Sequence, residues 1–590
     1  MAVQAGSKGR SAMMIESVID SVGMEIRRLE DPRNRTRYFL FGKSEDLETD
    51  EVIGFTFQNA PDRVLREARW SATRREECLF KIGDAFVAGF MGLSGNGVTV
   101  DFTLEELATR GVSVASLLHA SDRGIEFVMD SRELTQHLFD FLDARRAVEN
   151  PFLGDILGSR EPAAIRPVAG GAEYPDLNAS QSKAIERALS QRVTFVWGPP
   201  GTGKTKTMAA LAARLVRSKK RVLLSATSNM ALDQLLLATV ARLGKHAPDT
   251  TIARTGSQMS EAAVAYGRSA FERKRSGSAR AASAWEDHVG RSSLVASNFT
   301  VLTLPNAPRA GEFDYVLADE VSMANIPSVV AASFYANTGM ALGGDPFQLS
   351  PIYPDEAEEP NEFFRWNVFE MASVGDRHDP RVAFLDTQYR MQEEIGDLVS
   401  DLFYDNELKT GTAPVGALAG FGSRVLFAQR SGRVEFAEED AAVEADQRRF
   451  NEAHAETVAD CVVDLLNAGV PGQEIGVITP YNAQLVVILG MLQAAIGEAG
   501  PRMGGLVKVS TIHSFQGQER RAIIVDLTDD NVRPSPLTAK RELINVALSR
   551  AKEQLVIVGN RHYLVNEEFF GKRQVEMFER MLSHAAVIGG

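Results

Sequence analysis

Cysteine is almost absent from this chain: Cys78 and Cys461 are the only two in 590 residues. A pair so far apart excludes an all-cysteine zinc or iron–sulfur cluster and argues against a disulfide framework, so both read as core thiols. Long apolar runs are missing too. No uninterrupted stretch of about 18 apolar residues occurs, and the opening "MAVQAGSKGRSAMMIES" lacks the apolar core of a signal peptide. The expected compartment is cytoplasmic. Nor is there an excess of positive charge: 64 Lys and Arg against 78 Asp and Glu leave a formal charge of -14. That argues against coating a duplex through a general basic surface. It leaves open a local groove, because binding follows the phosphates actually contacted. The basic clusters "RLVRSKKR" (Arg214 to Arg221) and "GRSAFERKRSGSAR" (Gly267 to Arg280) read first as solvated helix faces.

What is present is a long alternation of short β-rich runs and helical patterns. The chain is too long for one core, so about three to five domains are expected. From Val193 to Gly559 the runs "RVTFVW", "RVLLSA", "DYVLADE", "MALGGD", "EIGVITPY", "VKVSTI", "RAIIVDL" and "QLVIVG" are separated by helix-length segments, which predicts parallel α/β sheets. They are too many for one sheet, and the acidic "YPDEAEEPNEFF" falls in a break with no strand signal. Two sheets are predicted, one on each side. The first 170 residues differ: "RYFLFGK", "VIGFTFQ" and "DAFVAGFMGLSGNGVTVDF", with its turn at Ser94 to Gly97, follow β-hairpin patterning and predict a small β-barrel. Ile15, Val18, Ile19, Val22 and Ile26 before it, and Leu134, Leu138, Phe141 and Leu142 after it, recur at helical spacing. The predicted division is an N-terminal helix (1–34), a barrel (35–125), a second helix and linker (126–170), a first α/β domain (171–352), a linker (353–380) and a second α/β domain (381–590). Within the first α/β domain, residues 245–297 are predicted to be a helical insertion.

"FVWGPPGTGKTKT" has the strand, glycine-rich turn and helix start of a phosphate-binding loop. Gly198, Gly201 and Gly203, with Pro199 and Thr202 between them, let backbone N–H groups turn toward phosphate oxygens. Lys204 would neutralise the β/γ oxygens, the Thr205 hydroxyl would ligate Mg²⁺, and Lys206 follows on the helix. "FDYVLADEVS" supplies the strand ending in carboxylates that such a loop needs. Asp319 would hold the metal, and Glu320 would orient or deprotonate the attacking water.

In order from Leu177 to Gly559, the motifs resemble those of superfamily 1B helicases, in the group of the nonsense-mediated-decay RNA helicase and the immunoglobulin-mu-binding helicase. "LNASQSKAI" resembles the Q motif, "SATSNMALDQLL" motif Ia, "ALGGDPFQLSPI" motif III and "LDTQYRMQEEI" the Gln-Tyr-Arg-Met element. "VSTIHSFQGQE" resembles motif V and "NVALSRAK" motif VI. The resemblance implies two RecA-like P-loop domains, a barrel on a helical stalk, and ATP as the nucleotide. It implies that Gln181 bonds the adenine edge, Tyr389 packs on the base and Glu519 lies near the ribose. Gln348 would contact the γ-phosphate. Arg390 and Arg550, expected on the second sheet, would reach as fingers toward Lys204 and Glu320 on the first. Ser228, Asn229, Thr479, Thr511 and His513 would touch the backbone of a nucleic-acid strand. Motif II reads Asp-Glu-Val-Ser rather than the usual Asp-Glu-Ala-Ser, and Ser549 stands where Thr is common; neither change removes a reacting group.

The expected function is therefore an ATP- and Mg²⁺-dependent helicase or translocase on single-stranded DNA or RNA. It is expected to be monomeric and, by family, to move 5′ to 3′. The alternative is an ATP-gated nucleic-acid-binding switch that remodels partner complexes without processive unwinding. A metabolic kinase is disfavoured by the second sheet with its arginines, and no cluster of acids and lysine supports a fused nuclease.

Overall fold

The computed structural model describes residues 2–31, 37–40, 43–48, 52–57, 68, 78–82, 85–94, 97–114, 116–118, 125–128, 132–158, 162–167, 174–244, 250–256, 259–268, 281–305, 307–351, 353, 361–412, 422–436, 449–496, 507–512, 515 and 517–588. His513, most of the acidic segment 355–362, most of the second basic cluster and the hairpin tip at residues 95 and 96 lie outside the described residues. The chain forms two compact units, one of residues 23–136 with 435–450, the other of residues 1–22, 137–434 and 451–590. Among the described residues no helix is long and apolar enough to cross a membrane.

The smaller unit is an antiparallel sheet. Its strands are β1 (Arg37–Leu40), β2 (Lys43–Glu48), β3 (Val52–Phe57), β4 (Cys78–Ile82), β5 (Ala85–Ser94), β6 (Gly97–Thr103) and β7 (Ile125–Val128), in the order β1-β7-β4-β5-β6-β3-β2. Ser94 pairs with Gly97, so the predicted hairpin is formed. Inward positions supply Phe55, Phe57, Phe80, Phe102 and Phe127, all buried, and Phe80 meets Phe102 edge-on at 5.2 Å. The two end strands of the ladder, β1 and β2, are consecutive in sequence and separated only by residues 41 and 42, which lie outside the described residues.

The larger unit holds two parallel RecA-like sheets. The first contains β8 (Val193–Trp197), β9 (Val222–Ala226), β10 (Ile252–Arg254), β11 (Leu294–Ala296), β12 (Phe313–Asp319), β13 (Ala336–Gly344) and β14 (Val382–Phe384), in the order β10-β11-β9-β12-β13-β8-β14. Strands such as "VTFVW" and "VLLSA" are buried throughout. Helices cover both faces, so no alternation is needed. Two boundaries move. β14 is paired with β8, which carries the first domain's sheet past residue 352 to Phe384. β10 and β11 pair with each other and β11 with β9, so both ends of the predicted insertion are strands of the sheet itself. Each is three residues long, too short to show a period.

A ribbon of β15 (Thr387–Gln388) and β16 (Lys409–Thr410) follows. Next come β17 (Val425–Gln429), the short pair β18 (Glu435–Phe436) and β19 (Arg449–Phe450) of the smaller unit, and β20 (Ile475–Thr479), β21 (Lys508–Thr511), β22 (Arg520–Asp526), β23 (Ala551–Gly559) and β24 (Ala586–Ile588). The second sheet runs β21-β20-β22-β23-β17-β24, all parallel. Arg390, expected on this sheet, is not on it: it follows β15 of the ribbon. It sits between the ribbon and the helix Glu393–Phe403, whose apolar face is buried in the second domain's core. Cys461 is buried in that domain, and burial pushes its thiol up to about 12, as a core thiol requires.

The stalk helix Arg132–Asp143 is fixed to the first domain. Phe141 stacks on Tyr335 at 5.8 Å with the rings 6° apart, Arg145 lies 3.6 Å above Phe141, and Asn150 donates to Ser333 at 2.7 Å.

Candidate nucleotide site and nucleic-acid face

The site lies at the carboxyl ends of the first sheet's strands, where parallel sheets open a crevice. β8 ends at Trp197, and the loop Gly198 to Gly203 turns into the helix Lys204–Arg217. Gly201 and Gly203 both have φ of 75°, a left-handed conformation that glycine adopts without penalty. A Cβ on Gly198 would stand 2.7 Å from that of Lys204, so the loop folds tightly over the lysine stem.

Lys204 is 8% exposed. Its ammonium contacts Asp319 Oδ1 and lies 2.9 Å from Glu320 Oε1. Burial opposes its charge, but the two carboxylates outweigh burial and raise its pKa above the ordinary lysine value. Thr205 Oγ1 donates to Asp319 Oδ2 at 2.8 Å. Glu320 follows β12 with φ 56° and ψ 36°, a strained conformation for a residue with a side chain. Its backbone N–H donates to Asp319 Oδ1 at 2.9 Å. Lysine, hydroxyl and two acids from separated segments thus meet in one place.

The second domain reaches the same place. The Tyr389 N–H donates to the Gly201 carbonyl at 2.9 Å, and a Cβ on Gly201 would lie 2.6 Å from Arg390 Cβ. Arg390 Nε stands 2.6 Å from Glu519 Oε2, and Arg390 Nη1 donates to the Ser549 carbonyl at 3.2 Å. Arg550 is 4% exposed; its Nε donates to the Val546 carbonyl and its Nη2 to Gln348 Oε1 at 3.3 Å. Burial, then the like charge of Arg390, lower its basicity, while Glu320 and Glu519 act in the opposite sense. A guanidinium stays charged through such a shift at neutral pH.

The remaining predicted residues take varied positions. Gln181 is buried: it forms a capping box with Asn178, and its Nε2 donates to the Thr202 carbonyl at 2.8 Å. Tyr389 is 41% exposed, with its hydroxyl accepting from Asn178 at 2.9 Å and Gly411 against its ring. Lys206 is drawn to the Asp176 carboxylate, 3.4 Å away, rather than into the loop. Ser228 caps the helix Asn229–Leu243, and Asn229 Oδ1 accepts from buried Arg254 at 2.9 Å and from Asn298 at 3.0 Å. Thr479 is fully buried, its hydroxyl facing Thr528 at 3.1 Å and Asp526 at 3.4 Å. Its hydroxyl is thus committed to this buried network rather than exposed at the surface. Thr511 ends β21.

Sequence reasoning missed three groups. Asp345, 1% exposed, accepts from Trp197 Nε1 at 3.0 Å, the Phe347 N–H at 3.1 Å, Gln348 Nε2 at 2.9 Å and the Tyr404 hydroxyl at 2.6 Å. Burial raises its pKa despite these four donors. Tyr404 in turn accepts from Asn545 at 2.8 Å, on the helix that leads to Arg550. Asp345 and Asn545 stand inside recognised motifs, so motif position was a signal; Tyr404 gave none.

With this geometry in view, two models described as AAA domain match the chain, over residues 176–282 and 367–562. The DNA replication ATP-dependent helicase/nuclease DNA2 of Saccharomyces cerevisiae is 27% identical over 428 residues, 65% of this chain and 26% of that protein. The Regulator of nonsense transcripts 1 homolog of Drosophila melanogaster is 26% identical over 485 residues, 74% and 40% of the two chains. The chain is a distant homologue of the superfamily 1 helicases. This helicase homologue spans less than half the length of either of those relatives. Among solved structures, a crystal structure of arterivirus nonstructural protein 10 (helicase) covers 89% of this chain and 77% of that one at 12% identity. Its TM-score is 0.36, too low for the two folds to be equated. ATP is the nucleotide that these domains imply.

Proposed function

We propose that the protein is an ATP- and Mg²⁺-dependent motor that moves along single-stranded nucleic acid 5′ to 3′ as a monomer. The supporting observation is that Arg390 and Arg550, from the second half of the chain, meet the phosphate loop and Gln348 of the first. Hydrolysis on one domain then depends on groups that the other brings.

The Thr205 hydroxyl and Asp319 carboxylate, 2.8 Å apart, are the hard oxygen donors that Mg²⁺ takes. Bound there, the ion would offset phosphate charge. Lys204 exchanges its two carboxylates for β/γ oxygens, which frees Glu320 to orient or deprotonate water. Gln348 contacts the γ-phosphate, and the arginines stabilise the transition state, a contribution of about 10³ to 10⁵ in rate. Tyr389 packs on the base, and Ser228, Asn229 and Thr511 line the strand. Opening and closing of the domains about that strand converts each hydrolysis into a step. The 5′ to 3′ sense follows the subgroup resemblance alone.

Steady-state ATP hydrolysis without polymer, with single-stranded DNA and with single-stranded RNA at fixed low salt tests this reading. Stimulation that Lys204→Ala and Glu320→Gln both abolish supports the motor, and the better polymer identifies the substrate class. Strand displacement that requires a 3′ tail would reverse the polarity. Stimulated hydrolysis with neither displacement nor translocation would favour an ATP-gated switch.

A further inference from the structure

Arg390 lies against the phosphate loop at its base and away from it at its tip. A Cβ on Gly201 would approach Arg390 Cβ to 2.6 Å, yet the guanidinium is turned to Glu519, with Nε 2.6 Å from Oε2. Glu519 is held on its other side as well, with Oε1 2.7 Å from Lys552 Nζ, and the Lys552 carbonyl accepts from the Gln392 N–H at 2.8 Å. The acid therefore sits in a built position between two cations.

Glu519 closes the loop that follows β21. That loop also carries Gly517, at φ 69°. A Cβ there would lie 3.0 Å from the methyl of Met230, a side chain 50% exposed beside Ser228 and Asn229 on the first domain. One short segment thus meets the candidate strand-binding helix at Gly517 and grips the arginine two residues later.

We propose that Glu519 is a positioning residue that withholds Arg390 from the phosphates, and that a bound single strand, by displacing the loop at Gly517, hands the guanidinium to the nucleotide. The proposal rests on the motor reading above. The transfer needs rotation of the side chain and release of its Nη1 bond to the Ser549 carbonyl, because the base of Arg390 already touches the loop. A γ-phosphate bears more negative charge than one carboxylate shared with Lys552, so the exchange is downhill once the grip loosens.

Glu519→Gln keeps the shape and an acceptor for Lys552 but removes the charge. Hydrolysis without polymer should rise roughly tenfold, the size of one lost charge-assisted hydrogen bond, and stimulation by polymer should shrink by the same factor. KM for ATP should stay within about threefold, a modest change in binding. Adding Arg390→Ala to Glu519→Gln should erase the gain. Glu519→Asp, which shortens the arm and keeps the charge, should show a smaller rise and guards against a folding defect in the first variant. An unchanged or lower polymer-free rate with stimulation intact overturns the proposal. So does a raised KM at unchanged kcat, which would make Glu519 a nucleotide-holding group. Wild-type hydrolysis that no polymer stimulates would instead sink the motor reading, and so the two failures are separable.

Discussion

Replacing Gly201 with alanine tests whether contact between the phosphate loop and Arg390 sets the rate. The glycine has φ of 75°, where a side chain costs about 1–2 kcal/mol. The added methyl would stand 2.6 Å from Arg390 Cβ and 3.2 Å from its backbone nitrogen. Neither atom is the end of a flexible chain, so the segment bearing Arg390 must retreat by about 1 Å to restore van der Waals contact. A misplacement of that size costs on the order of 10² in rate, below the 10³ to 10⁵ of losing a finger outright. Gly201→Ala should therefore bind a fluorescent ATP analogue within severalfold of wild type while its polymer-stimulated kcat falls about a hundredfold. Gly203→Ala is the comparison. It shares the φ of 75°, but its methyl would come nearest to Gln181 Nε2, at 2.8 Å, and would not approach Arg390. It should lose far less kcat. Equal losses in the two variants, or wild-type kcat in Gly201→Ala, would show that backbone strain and not Arg390 governs the effect.

Two further predictions concern a buried network between the α/β domains and an ion pair within the second. Tyr404→Phe leaves Asp345 with three of its four donors, which should cost about 1–3 kcal/mol in urea unfolding; because Gln348 shares that carboxylate, kcat should drop more than KM rises. Asp401 is held by Arg580 at 2.6 Å and His584 at 3.2 Å, and chiefly the Arg580 hydrogen bond depresses it from 3.8 to about 2. A depressed carboxylate stabilises the fold above its unfolded pKa, and that stability is lost as pH falls through its folded value. Since Arg580 is well exposed, the gain is discounted to about 1 kcal/mol. Asp401→Asn should lower the urea midpoint at pH 7 and converge with wild type between pH 4 and 2; a gap that persists at pH 2 would rule the pair out as its source.

How much of this was legible in the sequence depends on distance along the chain. The phosphate loop, Asp319 and Glu320 read correctly as neighbours because each is a local strand-end pattern, and sheet topology brings such ends together. β10, β11 and β14 did not read correctly, since three residues buried on both faces show no period. Gln181 and Thr479 kept their places and changed their work: one is spent on a cap and the Thr202 carbonyl, the other on a buried network with Asp526. Motif position gives the place of a side chain, whereas its partners depend on three-dimensional competition for donors.

That competition is what separates a binding site from a regulated one. Three cations, Lys204, Arg390 and Arg550, surround the place where phosphates would lie. Lys204 is held by Asp319 and Glu320, Arg390 by Glu519 and the Ser549 carbonyl, and Arg550 donates to the Val546 carbonyl and the neutral amide of Gln348. The lysine's partners belong to the first domain and can be exchanged when nucleotide enters. The acid on Arg390 belongs to the loop after β21, which the first domain touches through Met230. Nucleotide alone can therefore satisfy Lys204, while Arg390 waits on the position of a loop at the strand-facing surface. Under the proposed handover such a site would bind ATP readily and hydrolyse it slowly until a strand is present, tying each turnover to a step.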